Sequence, residues 1–252
     1  MSSLPVPERK TVFALAVSLV LTGFVIVIVN ILIYRARILF IAGHPEYVAK
    51  QPPTISRAIS DPLIGEPFAM WMAICAPLLW IGVACLVWAG WAENGRQGGI
   101  SQADRRAILW LSGLLLLVQA AASLGMVLLS HFRFPDHRDM HMFGSYLFFF
   151  SQVIAIVVGE VLSRRYESLP KPNPIFTPIM ARIRRWYVWV PIFLGFAYLA
   201  LFILKDFDLG AINKGLYQCY VLTEPLLISS FLCYILVYHG DMWSAIRRYR
   251  RA

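Results

Sequence analysis

Long apolar runs alternate with short charged connections along the whole chain. Between Lys10 and Arg35 lie 24 residues without a charged side chain, and comparable runs occupy 67–92, 107–130, 142–159 and 186–204. A last run, 215–238, is interrupted only by Glu224. About 20 apolar residues are enough to cross a bilayer as a helix. None of the runs shows strand-like alternation, and a helix pairs its own backbone groups within lipid. The pattern predicts an all-α polytopic membrane protein, a six-transmembrane-helix bundle with helices over about 11–34, 67–92, 107–130, 140–162, 186–204 and 215–239. The first run is too long for a secretory signal, and Tyr34-Arg35-Ala36-Arg37 offers no cleavage site, so it is read as part of the bundle.

The connections refine this picture. None is long enough for a soluble domain, so residues 1–252 are read as one membrane domain. Pro170, Pro172, Pro174 and Pro178 predict an extended connector within 160–185, dividing four helices from two. The two parts differ in span length, loop length and charge, which gives no support to an inverted-repeat transporter. Composition agrees with membrane burial: 59% of residues are hydrophobic and the mean hydropathy is +0.64. The amino terminus, the 93–106 loop, the 160–185 segment and the carboxyl tail carry two, three, six and four Lys or Arg, against four, two and two in the alternate connections. That excess places both termini in the cytoplasm. The net charge of +9 then faces anionic phospholipid there, and the tail from Met242 to Arg251 is expected along the interface. No nucleic-acid module accompanies the charge. Cys75, Cys85, Cys219 and Cys233 form no C-x-x-C pair and read as inert thiols within spans.

Candidate chemistry concentrates at two places. Residues 131–141, His-Phe-Arg-Phe-Pro-Asp-His-Arg-Asp-Met-His, hold three of the five histidines. His137 and His141, four apart at the start of a helix, would share one face and could give zinc two nitrogens, with His131 or Asp136 completing the set. Helix capping by Asp136, with Asp139 in the first turn, explains the same residues without a metal. Zinc is therefore the weaker reading, and no cofactor is predicted. Glu224 is the other signal, because an intramembrane carboxylate is costly and usually functional. Asn30, Gln119, Ser123, Ser145 and Gln152 fall at outer or middle depth and could line one polar pocket with it. Gln119 could equally bond a protonated Glu224 as helix glue. Glu160 and Arg164, one turn apart, read as a structural ion pair.

Three stretches carry a family likeness. Pro53-Thr-Ile-Ser-Arg-Ala-Ile-Ser60, the His141-x-x-Gly-Ser-Tyr-x-Phe-Phe start of the fourth helix, and Tyr217-x-x-Tyr-x-x-x-Glu224 running on to His239-x-x-Met-Trp243 resemble the Frag/DRAM/Sfk family of six-helix membrane proteins. The nearest likeness is to the branch that remodels the lipid of GPI anchors. The resemblance implies work on lipids and marks Ser56, His141, Glu224 and His239 as matching positions. The chain departs from that branch at its end, where Gly240-Asp241-Met242 precedes Trp243 and no Asp follows. Its short connections and unpaired cysteines resemble bacterial members, which have no GPI anchor, so a bacterial inner membrane is expected, or an endomembrane if the source is eukaryotic.

Two functions stay open. One is acyl transfer or hydrolysis on a lipid at the outer leaflet, with His141 as general acid or base, Glu224 orienting it or binding the headgroup, and Ser56 or Ser60 carrying or positioning the acyl group. No G-x-S-x-G motif is present. The other is a non-catalytic lipid-binding protein or an accessory subunit with a membrane-protein partner. Ion-coupled transport would rest on Glu224 alone.

Overall fold

Five of the apolar runs become helices longer than themselves, because capped, charged ends extend the apolar middle past the hydrocarbon layer, while the run over 186–204, expected as one helix, is divided at Val188. A computed structural model describes residues 4–171 and 173–252, apart from the side chain of Gln97; Pro172 of the proline-rich connector lies outside the described residues. In chain order the helices are α1 (Arg9–Gly43), α2 (Pro45–Val48), α3 (Ile55–Ala58), α4 (Pro62–Gln97), α5 (Gln102–His131), α6 (Arg138–Glu167), α7 (Pro178–Tyr187), α8 (Trp189–Leu204) and α9 (Asn213–Arg251). Among the described residues six helical segments are long and apolar enough to cross a membrane, α7 and α8 together forming one of them. The protein is thus an all-helical integral membrane protein.

The caps explain the ends. The Asp61 carboxylate accepts from the Leu63 N–H, with Pro62 opening α4, and Ser101 and Thr177 cap α5 and α7 through their hydroxyls. Three sequence expectations are revised here. The connection after the first span is partly helical: α1 continues to Gly43, and α2 and α3 follow before Asp61. The proline-rich connector shrinks to 168–177, since α6 runs to Glu167 and α7 starts at Pro178. The tail does not leave the bundle to lie along an interface. It continues α9 to Arg251, with Met242 and Ala245 fully buried.

The long helices pack in the order α6, α5, α4, α1, α9, α8, and α6 touches α8 and α9 only lightly. The bundle is therefore an open ring whose seam lies between α6 and the α8–α9 pair. Small residues tighten the rest of it, as expected where helices associate without a hydrophobic drive. A Cβ on Gly125 would lie 2.4 Å from the Phe148 nitrogen, and one on Gly144 would lie 2.6 Å from the Leu129 nitrogen. The α5 and α6 backbones meet there, one turn from His141.

Both termini share one end of the bundle. There the Glu8 N–H donates to Glu93 at 2.7 Å, and Arg96 pairs with the buried Glu93 at 2.9 Å. Arg184 on α7 and Asp241 on α9, both fully buried, form an ion pair; Ser163 and Thr177 supply further bonds. Arg164 pairs with Glu160 at 2.8 Å, as helical spacing suggests. The opposite end holds α2, α3 and the α5–α6 turn, and there His44 bonds Asp61 at 2.8 Å. That bond holds the Asp61 carboxyl below the ordinary aspartate range.

Candidate functional site

The site grows from α3, a helix too short to stand alone. Thr54 caps it by accepting the Arg57 N–H at 3.0 Å, while Ile55, Ala58 and Ile59 bury their side chains against the bundle. This fixes one polar face outward from the core, and Ser56 lies on it, half-buried. The Ile55 N–H donates to a Glu224 carboxylate oxygen at 2.8 Å. The first turn of a helix leaves backbone donors without intrahelical partners, and a carboxylate from α9 satisfies one of them. Glu224 itself is 4% exposed. It thus fastens α3 to α9 through the residue beside Ser56.

His141 faces Ser56 from α6 and is 1% exposed. Its Nδ1 lies 2.9 Å from the Phe132 carbonyl oxygen and its Nε2 lies 3.0 Å from the Ser56 hydroxyl oxygen. A carbonyl can only accept, so Nδ1 carries the proton and Nε2 presents its lone pair to the serine. The Phe134 ring, with its centroid 4.7 Å away, covers one side of the imidazole. A hydroxyl facing a base that a third group orients is the arrangement of an activated nucleophile. Here a backbone carbonyl holds the orienting position.

The pair opens into a cavity of about 910 Å³ lying in the seam of the ring. Along α6 its wall runs from Arg138 to Ile154, 16 residues or about 24 Å of helix at 1.5 Å per residue, against a hydrocarbon core of about 30 Å. Polar groups cluster at one end: Ser56, Arg57, Arg138, His141, Lys205 and Glu224. The other end is apolar, with Val153, Ile154, Ile192, Phe196, Leu227 and Phe231. Phe150 and Ile154 on α6 and Phe196 on α8 line the cavity yet stay exposed, so the bundle does not close over the seam. Tyr198 and Tyr220 stack with centroids 5.2 Å apart between the two ends.

Of the sequence candidates, Ser56, His141, Glu224 and Ser145 share this cavity. The remaining polar residues expected beside Glu224 lie elsewhere. Gln119 and Gln152 line a separate small cleft nearer the terminal end, Asn30 accepts from Ser229 at 2.7 Å where α1 meets α9, and Ser123 is buried. Depth along the chain placed them together, but the rotation of each helix turned them apart. Glu224 bonds the α3 backbone, in place of the suggested Gln119.

The histidine cluster is also reorganised. α6 begins at Arg138 and His137 is its N-cap residue, without a side-chain cap bond, so neither Asp136 capping nor a shared helical face of His137 and His141 forms. His137 is exposed and packs edge-on to Phe132, whereas His141 is buried. Among the described residues no three His, Cys, Asp or Glu side chains converge as a metal site. His239 bonds Thr22 at 2.8 Å on another face of α9. Ser60 donates to the Arg57 carbonyl and does not line the cavity. Sequence reasoning missed Arg57, Arg138 and Lys205 as cavity residues. Two of them carried a signal: Arg57 adjoins Ser56, and Arg138 is three residues before His141, on the same helical face.

The cavity is polar at one end and apolar at the other, and it lies within the membrane-crossing part of an all-helical integral membrane protein. Family comparison agrees with that setting: the Frag1/DRAM/Sfk1/Cwh43P N-terminal domain model matches residues 9–245, and the chain belongs to this family. No curated protein and no solved structure matches the chain.

Proposed function

We propose that this protein remodels a membrane lipid by acyl transfer or hydrolysis in the seam cavity, with Ser56 as nucleophile and His141 as its general base. The single observation that carries the reading is the Ser56–His141 pair at 3.0 Å, at the polar head of a cavity whose tail is apolar. The Ser56 oxygen attacks the ester carbonyl carbon of a lipid, and its proton passes to His141 Nε2. Collapse of the tetrahedral species breaks the ester C–O bond, and the departing alcohol takes the proton back from His141. The acyl-serine is then resolved by a second alcohol or by water, whose proton follows the same route while Ser56 recovers its hydroxyl. Glu224 is a positioning residue in this scheme, acting through α3. No cofactor enters the scheme, and zinc is not invoked.

The Lys and Arg excess at the terminal end supports a cytoplasmic placement of both termini, which puts the Ser56–His141 pair toward the outer leaflet and the basic end against anionic phospholipid. The inner membrane of a bacterium suits the short connections; an endomembrane would serve a eukaryotic chain.

A non-catalytic lipid-binding protein, or a subunit holding lipid for a membrane partner, is the second reading. The α7–α8 crossing favours it, because only 11% of its most apolar stretch is buried and a partner helix could cover the rest. Ser56→Ala and His141→Ala separate the two readings. Catalysis predicts loss of acyl turnover by about 100-fold or more in each, measured as lipid acyl composition by mass spectrometry, with lipid retention unchanged. Unaltered acyl composition in both variants would exclude catalysis.

A further inference from the structure

We infer that Arg57 and Arg138 form a phosphate seat at the head of the seam cavity, so that the amphiphile held there is an anionic glycerophospholipid taken sideways from the surrounding leaflet. The inference rests on the lipid reading of the cavity and adds the headgroup class. Both arginines line the cavity, from α3 and from the first turn of α6. Neither has a carboxylate partner among the described residues. Arg57 lies over the Tyr47 ring, 4.9 Å from its centroid, a contact that aims the guanidinium while leaving its donors free. A guanidinium suits phosphate oxygens, which it can grip with two parallel bonds.

Geometry along α6 matches a glycerolipid. Arg138 precedes His141 by three residues, about 4.5 Å of helix. A phosphate on Arg138 and Arg57 therefore leaves one glycerol unit between itself and an ester carbonyl beside Ser56 and His141. The acyl chain continues past Tyr146 and Phe149 into the apolar end. The lateral opening and that apolar wall select a lipid phosphate over a free one.

The charges at the head do not balance, which favours an anion over a zwitterion. The Phe202 and Tyr220 rings are already covered by the Lys205 ammonium, at 4.7 and 5.8 Å from their centroids. Asp206 pairs with the same Lys205 at 2.7 Å, and Glu224, one of whose oxygens accepts from the Ile55 N–H, is a single carboxylate against Arg57 and Arg138. Positive charge is left over at the head, and a negative headgroup complements it.

The test uses the full chain, purified in detergent and incubated with equimolar palmitoyl-oleoyl phosphatidylglycerol and phosphatidylcholine, with bound lipid counted by native mass spectrometry. Wild type should retain phosphatidylglycerol about tenfold or more over phosphatidylcholine, because the choline ammonium cancels the negative charge that the two arginines complement. Arg57→Gln/Arg138→Gln should lower retention of both lipids, which share the phosphate, and remove the preference for phosphatidylglycerol, and Arg57→Lys/Arg138→Lys should keep part of it. Both arginines are exposed, so melting temperature should be unchanged in either variant. Leu199→Trp, which fills the cavity from α8, should reduce both lipids. Wild type without preference, or a Gln variant that keeps it, overturns the phosphate seat while leaving the lipid cavity standing. Wild type retaining neither lipid, or Leu199→Trp retaining both, overturns the lipid reading as well.

Discussion

Replacing Glu224 probes how a four-residue helix is held in place. In Glu224→Leu the Ile55 N–H loses its 2.8 Å partner in a site closed to water, since Glu224 is 4% and Ile55 5% exposed. A buried donor left without an acceptor costs about 1–3 kcal/mol, which is about a 5- to 150-fold shift between docked and undocked α3. Glu224→Gln keeps an acceptor oxygen at the same reach and should recover most of that difference. Amide hydrogen exchange of residues 54–59, followed by mass spectrometry of the detergent-solubilised protein, reads the equilibrium directly. The expected order is wild type slowest, Gln close to it, and Leu faster by the stated factor, with acyl turnover falling in parallel because Ser56 moves with Ile55. Exchange in Glu224→Leu as slow as in wild type would refute the view that this carboxylate fastens α3. Equal acceleration in Gln and Leu would show that charge, not the acceptor, holds it.

Three other perturbations follow from the packing and the ion pairs. Arg184→Met strands the buried Asp241 carboxylate, and loss of one partner of a buried pair costs about 3–5 kcal/mol, so scanning fluorimetry should record a fall of roughly 10 °C; Arg184→Met/Asp241→Leu should regain part of it. Gly144→Leu inserts a side chain where a Cβ already meets the Leu129 nitrogen at 2.6 Å, so α5 and α6 must separate. It should cost about 1–3 kcal/mol in melting experiments and lower acyl turnover by displacing His141 one turn away. Asp61 is held below its ordinary range by His44, so its contribution is complete above about pH 4 and is lost as pH falls through the lowered value. Melting temperature should drop across that acidic window in wild type and less so in Asp61→Asn.

Hydropathy made the six crossings legible, because each is an apolar run of sufficient length, broken by a charge only at Glu224, and nothing in lipid competes with the helix. It could not show where they end. Arg9, Arg96, Arg138 and Arg251 lie in or at the ends of helices that extend beyond the apolar runs, since long basic side chains reach outward from helical positions. The candidate site was half legible. Ser56, His141 and Glu224 stood out as polar residues near the membrane at one end. The partner of Glu224 did not, because it is a backbone N–H, which every non-proline residue carries alike. Gln119 and Gln152 were misplaced because sequence gives depth along a helix more readily than rotation about it, and packing of α5 on α6 sets that rotation. Arg184 and Asp241 were hidden for a different reason: both lie in segments read as connector or tail, where a charge is expected to be solvated.

The open seam between α6 and the α8–α9 pair has a consequence for dose. On the proposed lipid function, a site reached from the side meets its ligand at the mole fraction present in the bilayer. Diluting the proteoliposomes tenfold should leave occupancy unchanged, while diluting the lipid within the same bilayer should lower it. The relevant search is two-dimensional, and its speed is set by lipid diffusion past one narrow gap between helices. An amphiphile so held need never cross water to reach Ser56.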